Sequence, residues 1–185
     1  MTPEIELLPP SAAADEEVVG AVTALVNRVY ATAEAGLWAG RADRTTVAEV
    51  TDLVRAGEIA VARLGGRIVG SVRIHRLDDG AGEFGLLAAA PDVRGAGIGR
   101  ALVRFAERWC RAGACAEMQL ELLVPRDWTH PSKEFLAGWY DRLGYRVVRT
   151  ATIDQSYPHL APLLATPCDF LVYRKDLSAG EPAGA

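Results

Sequence analysis

The sequence predicts an α+β domain, with helices layered on a sheet, rather than a doubly wound parallel fold. Three observations predict it. The elements read in the order strand, two helices, three strands, helix, strand, helix, two strands, which is not the strict alternation of a parallel sheet. Gly65-Gly66 lies between two apolar runs, the signal of a two-residue hairpin and hence of antiparallel pairing. At mid-chain, Gly82 to Arg111 reads GEFGLLAAAPDVRGAGIGRALVRFAERWCR, a buried strand, a glycine-rich turn and a helix.

Ile5 to Leu8 is a short strand, closed by Pro9-Pro10, which cannot continue a ladder. Asp15 has the position of an N-cap, with Glu16 and Glu17 in the first turn. The helix it opens carries Val18, Val22, Leu25, Val26, Val29 and Tyr30 on one face and fades around Gly36 to Gly40. A second helix is capped by Thr45 or Thr46, turns Val47, Val50, Leu53 and Val54 inward and stops at Gly57. Residues 58–64 and 67–77 are the hairpin strands, and Asp78-Asp79-Gly80 turns the chain into the next strand.

Glu83 to Ala90 is almost free of charge and bounded by Gly82 and Pro91, as a strand covered on both faces would be. In the following helix Ile98, Ala101, Leu102, Phe105, Ala106 and Trp109 share one face, and Arg100, Arg104, Arg108 and Arg111 fall opposite. Met118, Leu120, Leu122 and Val124 alternate with Gln119 and Glu121 as a strand. After a loop from Pro125 to Pro131, residues 133–143 form an amphipathic helix that clusters Phe135, Leu136, Trp139, Tyr140 and Leu143, with Gly144 as its stop. Residues 145–153 and 169–173 are the last strands, separated by a proline-fenced helix or loop from Tyr157 to Ala165. Residues 1–176 thus read as one domain and 177–185 as a disordered tail.

Composition narrows the classes. Half of the 185 residues are hydrophobic, yet no apolar run approaches the length of a membrane span and the N-terminus lacks the basic start and apolar core of a signal peptide, so a soluble, cytoplasmic protein is expected. Cys110, Cys115 and Cys168 are odd in number and not spaced as metal ligands, so thiols are expected and no metal site. A net charge of −4 argues against a general nucleic-acid binder. Residues 1–62 hold ten acids against four bases, which leaves room for a cationic ligand near the start of the chain, whereas the basic mid-chain helix suits an anionic one.

That anion has a place to dock. The first N–H groups of a helix have no internal partner and carry a partial positive charge, and the glycines of Arg94-Gly95-Ala96-Gly97-Ile98-Gly99 let a phosphate reach them. The run fails as a dinucleotide fingerprint because Arg100 stands where its third glycine or alanine would be. It fails as a P-loop because Gly99-Arg100-Ala101 has neither lysine nor hydroxyl.

The same six residues resemble the Arg/Gln-x-x-Gly-x-Gly/Ala pyrophosphate loop of the GNAT superfamily of N-acetyltransferases. Leu87-Ala88-Ala89-Ala90-Pro91 is similar to the cofactor strand of that family, and Trp139 to Tyr145 to its Tyr-x-x-x-Gly-Phe/Tyr segment. The resemblance runs over roughly residues 5–176. It implies a central mixed, mostly antiparallel sheet of about seven strands flanked by about four helices in three layers. It also implies acetyl-CoA as co-substrate, held by Leu87, Ala88, Ala89, Arg94, Gly95, Ala96, Gly97, Ile98, Gly99 and Arg100. One departure is Lys133, where the family often has asparagine.

The implied reaction is direct attack of a primary amine on the thioester in a ternary complex. An amine with a pKa near 10.4 is mostly protonated at pH 7, and freeing it costs about 4.6 kcal/mol, so a carboxylate base is expected. Glu83 is the candidate, with Glu121 in reserve, and by resemblance Tyr140 is the acid for the leaving thiolate, with a backbone N–H near Leu87 or Ala88 for the oxyanion. Tyr30, Glu34, Trp38, Trp128 and His159 are candidate acceptor contacts, while His75 and His130 read as surface residues. The acceptor is expected to be a small-molecule amine, suited to a cationic one, bound by a monomer or homodimer that engages neither nucleic acid nor membrane. A catalytically silent acyl-CoA-binding module and a protein lysine or N-terminal acetyltransferase stay open.

Overall fold

A computed structural model describes residues 2–40 and 43–178 of the chain. Seven strands form one sheet in the order β1-β2-β3-β4-β5-β7-β6: β1 (Glu4–Leu7), β2 (Ile59–Leu64), β3 (Arg67–Arg76), β4 (Gly82–Ala89), β5 (Glu117–Pro125), β6 (Arg146–Thr152) and β7 (Cys168–Asp176). β4 and β5 pair in parallel and the other neighbours antiparallel. The mixed sheet of seven strands and its flanking helices are those the resemblance implies.

The main helices are α1 (Glu16–Ala33), α2 (Val47–Arg55), α3 (Ile98–Ala112) and α4 (Pro131–Arg142). Asp15 caps α1 by accepting from the N–H groups of Glu17 and Val18, and Thr46 caps α2 by accepting from that of Glu49. The β2–β3 turn is tight because Gly65 and Gly66 both take positive φ, 56° and 80°. Among the described residues, no helix is long and apolar enough to cross a membrane.

Alternation along the first half of β4 sends Gly82 and Phe84 to one face, where they are buried, and beyond Leu86 the register with β3 places Ala88, opposite Ser71, on the other face. The face of Gly82 and Phe84 packs on α3, since a Cβ on Gly82 would meet Cys110 Sγ, and on α4, since Phe84 lies 6.1 Å from the ring of Tyr140. Helix α1 covers the other face of β3 and β4. The main core runs through both layers and includes Val22, Val26, Val72, Phe84, Leu102, Met118 and Tyr145.

Several expectations are corrected. Val47 and Phe135 are exposed, because each stands on the outer side of its short helix, and the buried residues of α4 are Lys133 and Tyr140. Gln119, which alternates with the apolar residues of β5, is itself buried, with its side chain donating to Glu83. Arg111 is not a solvated arginine: its Nε donates to the carbonyl of Leu177 over 3.2 Å and a second nitrogen lies 4.0 Å from Glu107. Leu177, placed in the tail, is buried and its N–H donates to Ala116 O; residues 179–185 of that expected tail lie outside the described residues. The stretch after β6 is a single helical turn, Ile153–Ser156, then a loop with a 3-10 turn, Ala161–Leu163. The three cysteines are buried free thiols.

Candidate active site

Among the described residues, the one parallel seam of the sheet is also its opening. β4 and β5 are paired at Gly82↔Met118 and Glu83↔Gln119 and part beyond that point, so the second half of β4 has a strand neighbour on one side only. Its backbone is also bent there. Two residues of β4, Leu86 and Leu87, stand against one of β3, Val72, between Gly85 and Ala88, and Leu86 takes φ 48°. A γ-branched residue in the left-handed region costs on the order of 1 kcal/mol. The bulge turns the Leu87 amide off the ladder, so that it faces the hydroxyl of Tyr30 on α1.

At the far end of β4 the chain turns through Pro91–Val93 into α3. Gly97, the N-cap, takes φ 73° and has no side chain to cap with. Among the described residues the N–H groups of Gly95, Gly97, Ile98, Gly99 and Arg100 find no acceptor, whereas those of Arg94 and Ala96 are taken by Pro91 O and Val93 O. The loop from Arg94 to Gly99 is therefore a cradle of oriented donors, but not every residue of it donates outward. Arg100, Arg104 and Arg108 line a groove of about 370 Å³ with Thr2, Pro3 and Ile5, beside this cradle rather than in the β4–β5 gap.

Two hydroxyls flank the gap. Tyr140 is 6 % exposed and packs against Phe84, Trp139, Tyr145 and Tyr173. Burial drives its pKa well above that of an ordinary phenol, so it stays protonated. Its hydroxyl has no hydrogen-bond partner among the described residues and is not one of the sealed orphan polar atoms there, which are His75 Nδ1 and His130 Nδ1. Tyr30 stands close enough to influence it. Burial also raises the Tyr30 phenol, to about 12, with Arg44 opposing the rise.

Two carboxylates lie where the strands begin to part. Glu83 Oε2 accepts from Gln119 Nε2 over 2.7 Å and its Oε1 lies 3.6 Å from His75 Nε2, directly across β3. Burial is the main reason its pKa is raised, with a further push from Glu121 and opposition from the Gln119 hydrogen bond. Glu121, two residues along β5, accepts from the Tyr157 hydroxyl over 2.9 Å. Arg174 closes the network behind them, donating to Gln119, Glu117 and Asp79.

Of the expected acceptor contacts, Tyr30 stands in this cleft. Glu34 is taken up by an ion pair with Lys133 and by Trp38 Nε1, and Trp128 donates to Thr166. His75 is not an ordinary surface residue, since it faces Glu83 and burial lowers its pKa. Nor is His130, which is 6 % exposed with Nε2 3.1 Å from Ala35 O. Pattern alone does not single out Gln119 or Arg44 as site residues. The Glu83–Gln119 pairing depends on the register that joins β4 to β5, which is tertiary information.

Comparison with known proteins bears on this arrangement. Residues 55–147, just over half of the chain, match the family model of the acetyltransferase (GNAT) domain. No curated protein matches the chain. Solved structures of similar fold include an N-acetyltransferase from Staphylococcus aureus Mu50, at 14% identity and TM-score 0.67, covering 96% of this chain and 100% of that one. YncA of Salmonella typhimurium, solved with its cofactor acetyl-CoA, is 13% identical with TM-score 0.67 over 100% of this chain and 99% of its own. The PaiA N-acetyltransferase of Thermoplasma acidophilum, in complex with coenzyme A, is 14% identical with TM-score 0.67 over 95% and 99%. Identities this low carry the fold and no more.

Proposed function

Because the chain belongs to the GNAT acetyltransferase family, we propose that it moves an acetyl group from acetyl-CoA to a primary amine by direct attack in a ternary complex. The observation that carries this reading is the parting of β4 and β5 just beyond Glu83, with the free N–H groups of Gly95, Gly97, Ile98, Gly99 and Arg100 after the end of β4 and the Tyr140 ring against Phe84 of β4.

In this reading the N–H groups of Gly95, Gly97, Ile98, Gly99 and Arg100 receive the pyrophosphate, where the start of α3 favours negative charge. The free edge of β4 at Leu87 to Ala89 takes the amide groups of the pantetheine arm as a partner strand would. Arg94 and Ala96 shape the loop rather than donate from it.

Glu83 accepts the proton that the acceptor ammonium must lose. Its raised pKa makes it a stronger base than an exposed glutamate, and Glu121 beside it favours the cationic amine before transfer. The freed nitrogen forms its bond to the thioester carbonyl carbon, and the oxygen that becomes negative is met by the Leu87 or Ala88 N–H. Such a preorganised donor is worth several kcal/mol. Collapse breaks the carbon–sulfur bond; Tyr140 gives its proton to the departing thiolate and regains the second proton that the nitrogen sheds as it becomes an amide. No covalent enzyme intermediate is required, and the buried thiols of Cys110, Cys115 and Cys168 stand outside the scheme.

Release of free thiol from acetyl-CoA, followed with a panel of amines, peptides and aminoglycosides, tests the proposal. Release that depends on an amine and falls in Tyr140→Phe supports it. Cofactor binding without release on any acceptor would instead mark the chain as a silent acyl-CoA-binding module.

A further inference from the structure

One charged group at the mouth of the site has no opposite charge. The guanidinium carbon of Arg44 lies 5.4 Å from the centroid of the Tyr30 ring. Among the described residues it makes no ion pair with a carboxylate.

An exposed arginine is ordinarily free to wander, but the chain next to this one is fastened. Thr45 is buried, its N–H donates to Asn27 Oδ1 over 2.9 Å, and Asn27 Nδ2 donates back to Thr45 O over 3.0 Å. Asn27 and Tyr30 are three residues apart on α1, so a single face of that helix supplies both the clamp for the backbone and the aromatic platform for the side chain.

The platform points into the site. The Tyr30 hydroxyl faces the Leu87 amide on one side, and the charge of Arg44 is felt at the hydroxyl of Tyr157, which donates to Glu121. The cleft therefore has two carboxylates, Glu83 and Glu121, at the reacting end, and beside Tyr30 one guanidinium, stacked on its ring, that pairs with no carboxylate among the described residues. A plain amine or a diamine would leave Arg44 unused, and a diamine would set its second cation against it.

We propose, building on the acetyltransferase reading, that the acceptor is an amine that also carries a carboxylate, an amino acid in the simplest case. Its amino group lies toward Glu83 and Glu121, and its carboxylate is held by Arg44. The guanidinium fork can grip a carboxylate with two parallel hydrogen bonds, which fixes orientation as well as affinity.

The test compares kcat/KM for free amino acids, their carboxamides, the corresponding decarboxylated amines and diamines, with the intact protein, acetyl-CoA and a free-thiol readout. The amino acids are expected to exceed their carboxamides by about 10- to 100-fold, the range of a charge-assisted hydrogen bond. Arg44→Gln should bring that ratio close to one by raising KM for the amino acid, and Arg44→Lys should restore part of it. Carboxamides or diamines turned over as well as amino acids, or a ratio unchanged in Arg44→Gln, would overturn the inference and leave the acetyltransferase reading standing. Thiol release with none of the four classes would overturn both.

Discussion

Lys133 Nζ donates to Glu34 Oε1 over 2.9 Å, and more than nine-tenths of each side chain is out of solvent. The other oxygen of Glu34 accepts from Trp38 Nε1 over 2.7 Å, so one carboxylate ties the start of α4 to the end of α1 and to the loop beyond it. The lysine at a position where the family often has asparagine thus has a structural use. Removing one partner strands a buried charge, which costs about 3–5 kcal/mol. Glu34→Leu is expected to lower unfolding free energy by that amount in urea titration, and adding Lys133→Met to recover most of it.

Tyr140 and Tyr145 sit at 6.2 Å in one aromatic cluster, but their hydroxyls differ in what they meet. The Tyr145 hydroxyl donates to buried Glu107 over 2.9 Å, a carboxylate that Lys175 also holds, whereas that of Tyr140 has no partner among the described residues. Tyr145→Phe is expected to cost about 1–3 kcal/mol of stability with little change in kcat. Tyr140→Phe should do the reverse, with kcat falling about 100-fold or more at nearly unchanged stability. Equal effects on both measurements would remove the acid role from Tyr140.

Glu83 sets the expected pH dependence. Its folded pKa is raised, chiefly by burial, so as base it becomes competent only as pH rises past a value above the ordinary carboxylate range. The acid limb of kcat/KM should lie there. In Glu83→Gln that limb should vanish, and the rate, lower by about 100-fold or more, should climb about tenfold per pH unit toward the pKa of the amine. The same limb in parent and variant would assign the proton to another acceptor.

The frame of the molecule was legible because local signals agreed with one another. Asp15 and Thr46 cap as their residue types prescribe, Gly65-Gly66 turns the hairpin, and the strand–loop–helix of Gly82 to Arg111 is found where its pattern put it. What was not legible depends on contacts between distant segments. No periodicity reveals that Lys133 finds Glu34, that His75 lies opposite Glu83, or that Asn27 fastens Thr45. Val47 and Phe135 were misplaced for a related reason, since short helices leave room for an apolar residue outside the buried stripe.

Two glycines of the central stretch should respond oppositely to a methyl group. A Cβ on Gly82 would lie 2.4 Å from Cys110 Sγ and 3.3 Å from Met118 Sδ, a clash inside the core, so Gly82→Ala should cost about 1–3 kcal/mol or more of stability without altering cofactor affinity of the folded protein. A Cβ on Gly99 would meet Trp139 only at 3.5 Å and the residue lies in the first turn of α3. Gly99→Ala should therefore leave the melting temperature unchanged or raise it, because alanine favours helix by about 1 kcal/mol. If the N–H of Gly99 is a docking point for pyrophosphate, the added methyl keeps the phosphate off the backbone, and calorimetry with coenzyme A should register about tenfold weaker binding or more. Unaltered affinity in that variant would move the phosphate site away from the start of α3 and detach the glycine run from the cofactor.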